Sequence, residues 1–116
     1  MRTHTESLNP APLSAEVYAD IKSFIFGNID NWRDTATEIE SEALNDYPDT
    51  QEYIGLGLTI ACSENGNSWN FQTGDNSYTG GVYGLPHWAV TSIQPDSDPL
   101  EVYEDVIDQL EELLSW

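Results

Sequence analysis

The chain carries its cations only near its start, and this distribution of charge is the strongest constraint on its fold. No lysine or arginine follows Arg33, whereas 17 of the 21 acidic residues lie beyond it. Those carboxylates cannot be paired within that region, and like charge destabilises a compact state by self-repulsion. The apolar residues must offset this repulsion. At 116 residues we expect one core, which buries about 65% of the surface of the unfolded chain.

The net charge of −18 also limits what the protein can bind. It exceeds the magnitude of roughly 2–8 that suits a small domain. A field of this strength favours encounter with cationic surfaces and disfavours nucleic acid and anionic membranes. We therefore expect the partner to be a positively charged protein, with no direct contact to nucleic acid or membrane.

Cys62 is the only cysteine in the chain. It permits no intramolecular disulfide and no zinc site of the usual multi-cysteine kind, so a reducing compartment is expected. No segment approaches the roughly 20 apolar residues that a membrane-spanning helix needs. These features predict a cytoplasmic protein without a metal ion or cofactor.

Apolar spacing predicts two helices in the first half of the chain. Ser14 is expected to be the N-cap of the first helix, and Gly27 to end or kink it. The second helix is expected to run from about Asp30 to Asp46. The apolar stripes of the two helices recur at three- and four-residue spacing: Val17, Ile21, Phe24, Ile25 and Ile29, then Trp32, Ala36, Ile39, Ala43 and Tyr47.

The period then changes from that of a helix to that of a strand. Large apolar residues alternate with other residues in segments 53–60 and 69–73. Because Asn65-Gly66 is a strong turn signal, residues 53–73 are predicted to form a hairpin. A third strand is predicted at His87–Ile93.

The last predicted element is a helix that begins at Pro99. Asp98 as N-cap and Glu101 at the third helical position form a capping-box arrangement. Its buried stripe is predicted to consist of Leu100, Tyr103, Ile107, Leu110 and Leu114. The whole pattern predicts an α+β fold of order α-α-β-β-β-α, with the helices packed on one face of a three-stranded antiparallel sheet. Residues 1–12 are expected to be a flexible lead-in to a single domain of residues 13–116.

Some apolar positions of the last helix lie outside its main stripe. Val102, Val106 and Leu113 flank the stripe, and Trp116 follows it. They leave apolar surface that a two-fold partner would cover, so a homodimer stays open.

Acidic residues line one face of each of the last two predicted helices. The candidate partner-binding residues are Asp34, Glu38, Glu42 and Asp46, then Glu101, Glu104, Asp105, Asp108, Glu111 and Glu112. Carboxylates about 5–6 Å apart along a helix approach the charge spacing of duplex DNA. A protein that grips phosphates would grip such a surface.

The acidic faces have two alternatives to partner binding as their origin. Acids on an exposed helix face are usually only solvated, and excess acid also suits a protein adapted to high salt. The repeated four-residue spacing weighs against simple solvation, because each such pair repels at a cost of about 0.2–0.5 kcal/mol.

The glycine-rich segment Gly74–Gly84 is a candidate recognition loop. Asp75, Tyr78 and Tyr83 are its candidate contact residues, since tyrosine offers contact area at low entropic cost. The segment lacks the Gly-Lys-Ser/Thr ending of a phosphate-binding loop and the spaced oxygen ligands of a calcium loop. Its alternative is a long β connection that needs glycine for its turns.

Residues of catalytic type are few. His87 with Asp75 and Ser77 has the residue types of a hydrolytic triad, and Cys62 with His87 those of a nucleophile pair. Neither set carries a local signature, and a cysteine after an apolar strand is more often a small buried hydrophobe. We expect no enzymatic activity and keep a small hydrolase that uses His87 as an alternative.

In size and charge the chain resembles the small acidic proteins that phages and plasmids direct against host defences, the anti-restriction and anti-CRISPR proteins that mimic DNA. The resemblance rests on the acidic residues of segments 34–46 and 101–112. It implies inhibition by occupying the nucleic-acid groove of a nuclease or of an RNA-guided surveillance complex. A related alternative is an immunity protein that caps a nuclease toxin.

Overall fold

The computed structural model describes residues 12–46, 55–75 and 84–114, which form two helices and three strands. In chain order the elements are α1 (Ala15–Asp46), β1 (Leu56–Cys62), β2 (Trp69–Asp75), β3 (His87–Ile93) and α2 (Pro99–Leu114). The predicted α+β class and the three-stranded antiparallel sheet are confirmed. Among the described residues, no helix is long and apolar enough to cross a membrane.

α1 is one continuous helix of 32 residues, so the predicted division into two helices at Gly27 is wrong. Gly27 lies on the exposed side, where an added Cβ would meet nothing within 4 Å. The buried residues continue at helical spacing on both sides of it: Val17, Ile21, Ile25, Ile29, Trp32 and Ala36. This stripe holds the helix against the core through a residue that costs only about 1 kcal/mol in a helix interior.

β1 is the central strand of the sheet, whose order is β2-β1-β3. Ile60 lies opposite Phe71 of β2 and Ala89 of β3, and both pairings are antiparallel. The predicted hairpin and the bounds predicted for the third strand are confirmed; residues 53 and 54 lie outside the described part. Every second residue of β1 belongs to the core: Leu56, Leu58, Ile60 and Cys62.

The two helices run antiparallel in one layer against this face of the sheet. Near the start of α1, the Tyr18 hydroxyl donates a hydrogen bond to Glu111 Oε2 at 2.7 Å. Further along α1, Arg33 Nε donates to the carbonyl oxygen of Ser97 at 2.7 Å, just before α2 begins. Later positions of α1 thus meet earlier positions of α2.

Both predicted helix starts are confirmed by their capping hydrogen bonds. The Val17 N–H donates to Ser14 Oγ at 3.2 Å, and the Glu101 N–H donates to Asp98 Oδ2 at 3.1 Å. Each cap satisfies a backbone donor that a helix leaves unpaired at its N-terminus.

The buried face of α2 is displaced from the predicted stripe. Leu100 is 45% exposed, whereas Val102 and Val106 are buried in the core. The prediction that these two valines flank the core and await a two-fold partner is therefore wrong, because α2 packs against α1 and β3 together and buries a wider arc. Leu113 is exposed, and Trp116 lies outside the described residues.

The β1–β2 turn is fastened to the start of α1. The Ser14 N–H donates to the carbonyl oxygen of Gly66 at 3.0 Å. Gly66 has a φ of 71°, and a Cβ there would collide with the carbonyl oxygen of Pro12. Only glycine meets both requirements without strain.

Candidate partner-binding surface

Five acidic side chains of α2 form a strip on its outer side, which we call the α2 row: Glu101, Glu104, Asp105, Asp108 and Glu112. At 3.6 residues per turn they lie within an arc of about 100° and span about 16 Å along the axis. The arc faces away from the buried residues Tyr103, Ile107 and Leu110. Three members are exposed, and Glu104 and Asp108 are partly exposed.

Glu111 does not belong to this row, and its prediction as a partner-binding residue is wrong. It is only 2% exposed and accepts the hydrogen bond from Tyr18 across the contact between the helices. The position lies one turn after Ile107, on the side of α2 that α1 covers. Burial, followed by the hydrogen bond to Glu111, raises the pKa of the Tyr18 hydroxyl above its ordinary value.

A second strip of acids follows the outer side of α1. The predicted residues Asp34, Glu38 and Glu42 are exposed on it, and Asp46 ends the helix with a side chain outside the described part. Three further exposed acids, which were not among the predicted residues, share this side: Glu16, Asp20 and Asp30. We call these six described residues, from Glu16 to Glu42, the α1 row.

The α1 row covers an arc of about 120° and extends about 39 Å along the helix axis. Its additional members have the same four-residue spacing as those predicted: Glu16 with Asp20, and Asp30 with Asp34. This spacing is the signal in the sequence that indicates them. The predicted interruption at Gly27 concealed it, because it divided one row between two helices.

Both rows lie on the outer surface of the helical layer, because each is opposite the stripe that its helix buries against the same core. Lys22 and Arg33 lie in the seam between the helices. Lys22 Nζ is 5.8 Å from the centroid of the Tyr103 ring. Arg33 binds the Ser97 carbonyl oxygen, and its Nη1 is 3.6 Å from Asp30 Oδ1. Since Arg2 lies outside the described residues, both cations that the structure describes are engaged by the protein itself.

The strands carry almost none of this charge. Asp75 is the single acidic residue of the three strands. The exposed large side chains of the sheet are instead apolar: Phe71, Trp88 and Val90. Negative charge is therefore concentrated in the helical layer and is not spread evenly over the elements of the fold.

The predicted recognition loop falls largely outside the described residues. Tyr78 and Tyr83 lie in segment 76–83, and Asp75 ends β2 with a side chain that is not described. This loop stays a prediction.

Cys62 and His87 are brought directly opposite each other in the β1–β3 pairing. Cys62 is fully buried, and burial raises the pKa of its thiol to about 11, so the thiol is protonated near neutral pH. His87 is half-buried at the start of β3, while Ser77 lies outside the described residues. Within residues 12–46, 55–75 and 84–114, no group of three or more His, Cys, Asp or Glu side chains is placed to hold a metal ion.

Comparison with protein-family models, with curated proteins and with solved structures gives no match to this chain. A functional hypothesis must therefore come from the surface itself.

Proposed function

We propose that the protein is a non-catalytic inhibitor whose helical acidic surface binds a basic nucleic-acid-binding protein, such as a nuclease or a CRISPR surveillance complex, in the manner of DNA. The observation that carries this proposal is the pair of carboxylate rows on neighbouring antiparallel helices. Packed helix axes lie about 8–10 Å apart, and residues four apart are about 6 Å apart along each axis. Two parallel lines of fixed negative charge result, as on the two strands of a duplex.

The rows suit a partner that binds phosphates. Lysine and arginine side chains form charge-assisted hydrogen bonds with carboxylates as they do with phosphate oxygens. Both rows stand on packed helices, so little ordering is needed on binding. Partner cations would also relieve the repulsion of about 0.2–0.5 kcal/mol between like charges one turn apart.

The uneven charge distribution favours this proposal over adaptation to high salt. Salt adaptation acts through the hydration of the whole surface, whereas Trp88 and Val90 are exposed on strands that carry almost no acid. A cytoplasmic location goes with the proposal, because a lone cysteine suits a reducing compartment.

The test is capture of host proteins on the immobilised protein from a nuclease-treated lysate at low salt, followed by elution with a short DNA duplex. We expect the duplex to release a DNA- or RNA-binding protein. With that purified partner, the logarithm of the affinity should fall linearly with the logarithm of the salt concentration. Retained proteins that the duplex does not displace would contradict the proposal.

A matched pair of variants separates the rows from general electrostatics. Asp105→Asn with Asp108→Asn removes two charges from the α2 row, and Glu64→Gln with Asp96→Asn removes two exposed charges outside both rows. We expect the first variant to weaken binding at least about tenfold, at about 1.4 kcal/mol per factor of ten, and the second to weaken it much less. Equal weakening would reject the rows as the binding surface. A nuclease toxin as the retained partner would favour the immunity-protein form of the proposal.

A further inference from the structure

A groove between β3 and α2 opens at the C-terminal end of the α2 row. Its volume is about 270 Å³, and it is lined by Trp88, Gln109, Glu112 and Leu113. Trp88 is 45% exposed and Leu113 is 37% exposed, so both apolar walls are accessible from solvent. Glu112 is an exposed member of the row and places a carboxylate at the same groove.

Hydrogen bonds fix two of these walls in place. The Trp88 indole Nε1 donates to the carbonyl oxygen of Leu85 at 2.5 Å. Gln109 forms two bonds with the backbone of Val90: its Nε2 donates to the carbonyl oxygen, and its Oε1 accepts from the N–H, both at 3.0 Å. A preformed groove loses less entropy on binding than a mobile one.

The same two bonds limit what can occupy the groove. They saturate the backbone of Val90 on the outer edge of β3, where an added strand would otherwise pair. A side chain is therefore the better occupant at this point than an extended backbone.

The chemistry of the walls selects an arginine side chain. A guanidinium stacks on an indole face, is more weakly hydrated than an ammonium, and donates to a carboxylate. Its methylene stem can pack against an apolar wall such as Leu113. An acidic occupant is excluded by the charge of −18.

We propose that the groove formed by Trp88, Gln109, Glu112 and Leu113 binds an arginine side chain of the basic partner. The inference rests on the proposed function, since it assigns one anchoring contact of that complex. The arginine occupies the end of the α2 row, where the guanidinium lies over Trp88 and bonds to Glu112.

The first experiment uses a small probe and no partner protein. N-acetylarginine amide is titrated into the full chain while the Trp88 indole N–H signal, identified from a Trp88→Phe variant, is followed by NMR. We expect a saturable shift with this probe and none with N-acetylcitrulline amide, which has nearly the same shape without the charge. No shift, or equal shifts with both probes, would overturn the proposal.

Matched single-charge variants then test the groove itself. Glu112→Gln should weaken binding of the arginine probe by about 2- to 5-fold, the range of a solvent-exposed cation contact. Glu64→Gln removes one exposed charge in the β1–β2 turn and should leave binding unchanged. Equal effects of the two variants would mean that the probe responds only to net charge, which overturns the proposal.

Failure of the groove and failure of the proposed function give different results. If the probe does not bind but Asp105→Asn with Asp108→Asn still abolishes partner binding, the groove is rejected and the proposed function stands. If the probe binds in a Glu112-dependent way but no duplex-displaceable protein is retained, the groove stands as an arginine site and the proposed function is rejected.

Discussion

Neighbouring carboxylates near the end of α2 occupy opposite environments. Glu111 is 2% exposed, whereas Glu112 faces solvent beside Trp88. Tyr18 supplies Glu111 with a hydrogen bond from a position 93 residues earlier in the chain. One carboxylate therefore stabilises the contact between the helices, and the next one contributes to the surface that a partner meets.

Replacing Tyr18 by phenylalanine tests the contact between the helices. Tyr18→Phe should lower the free energy of unfolding by about 1–3 kcal/mol, because a buried acceptor loses this donor. Urea denaturation measures the change. In a Glu111→Leu background the same replacement should cost less, since the acceptor is already gone. A cost that does not depend on the residue at position 111 would contradict the assignment.

The same variant gives a control based on pH. The folded protein raises the pKa of Tyr18, so it favours the neutral hydroxyl. This contribution is fully present below the pKa of about 10 of an unfolded tyrosine and is lost as pH rises from there towards the higher folded value. The wild-type protein should therefore lose stability above about pH 10 more steeply than Tyr18→Phe. Equal slopes would show that this hydroxyl is not linked to folding.

Whole elements were predictable where their signals are local. The bounds of β3 and the start of α2 follow from alternation and from the Asp98 cap, both of which lie within a few residues of the element. The continuity of α1 through Gly27 and the burial of Glu111 were not predictable, because each depends on packing between segments distant in sequence. For the same reason the α2 row was foreseen with one member too many, and the α1 row with three too few.

Two glycines predict opposite responses to the same replacement. Gly27→Ala should stabilise the protein by about 0.5–1 kcal/mol, because the site is helical and open. Gly66→Ala should destabilise it by more than about 1 kcal/mol, because the residue has positive φ and the added Cβ meets Pro12. Urea or thermal denaturation of the two variants provides the comparison. Destabilisation by Gly27→Ala would indicate that α1 needs a flexible point there.

At the scale of the whole molecule, charge and shape are distributed together. The longest dimension of 50 Å is close to the length of about 48 Å expected for a helix of 32 residues. α1 therefore carries its row along nearly the full length of the molecule, while α2 places the second row beside the first half of α1. The sheet lies behind this layer and carries little charge. The repulsion within the rows is thus a property of one surface, and its energy depends on ionic strength.

Stability should therefore rise with salt and then level off. The Debye length falls from about 30 Å at 0.01 M to about 3 Å at 1 M, shorter than the spacing within a row. Screening several like-charge pairs of about 0.2–0.5 kcal/mol each should raise the free energy of unfolding by about 1–3 kcal/mol over this range. Urea denaturation in a NaCl series measures the gain, since urea, unlike guanidinium, adds no ions.

The size and limit of the salt effect distinguish partner binding from salt adaptation as the origin of the acidity. Asp105→Asn with Asp108→Asn should be more stable than wild type at low salt and should gain less from added NaCl, because part of the repulsion is gone. Glu64→Gln with Asp96→Asn should keep nearly the full gain, since those charges lie apart from the rows. A chain that is unfolded at about 0.15 M salt, where the Debye length is about 8 Å, and that folds only in molar salt would contradict both expectations. Such a protein would need concentrated ions for more than screening, and its carboxylates would then serve hydration at high salt instead of a basic partner.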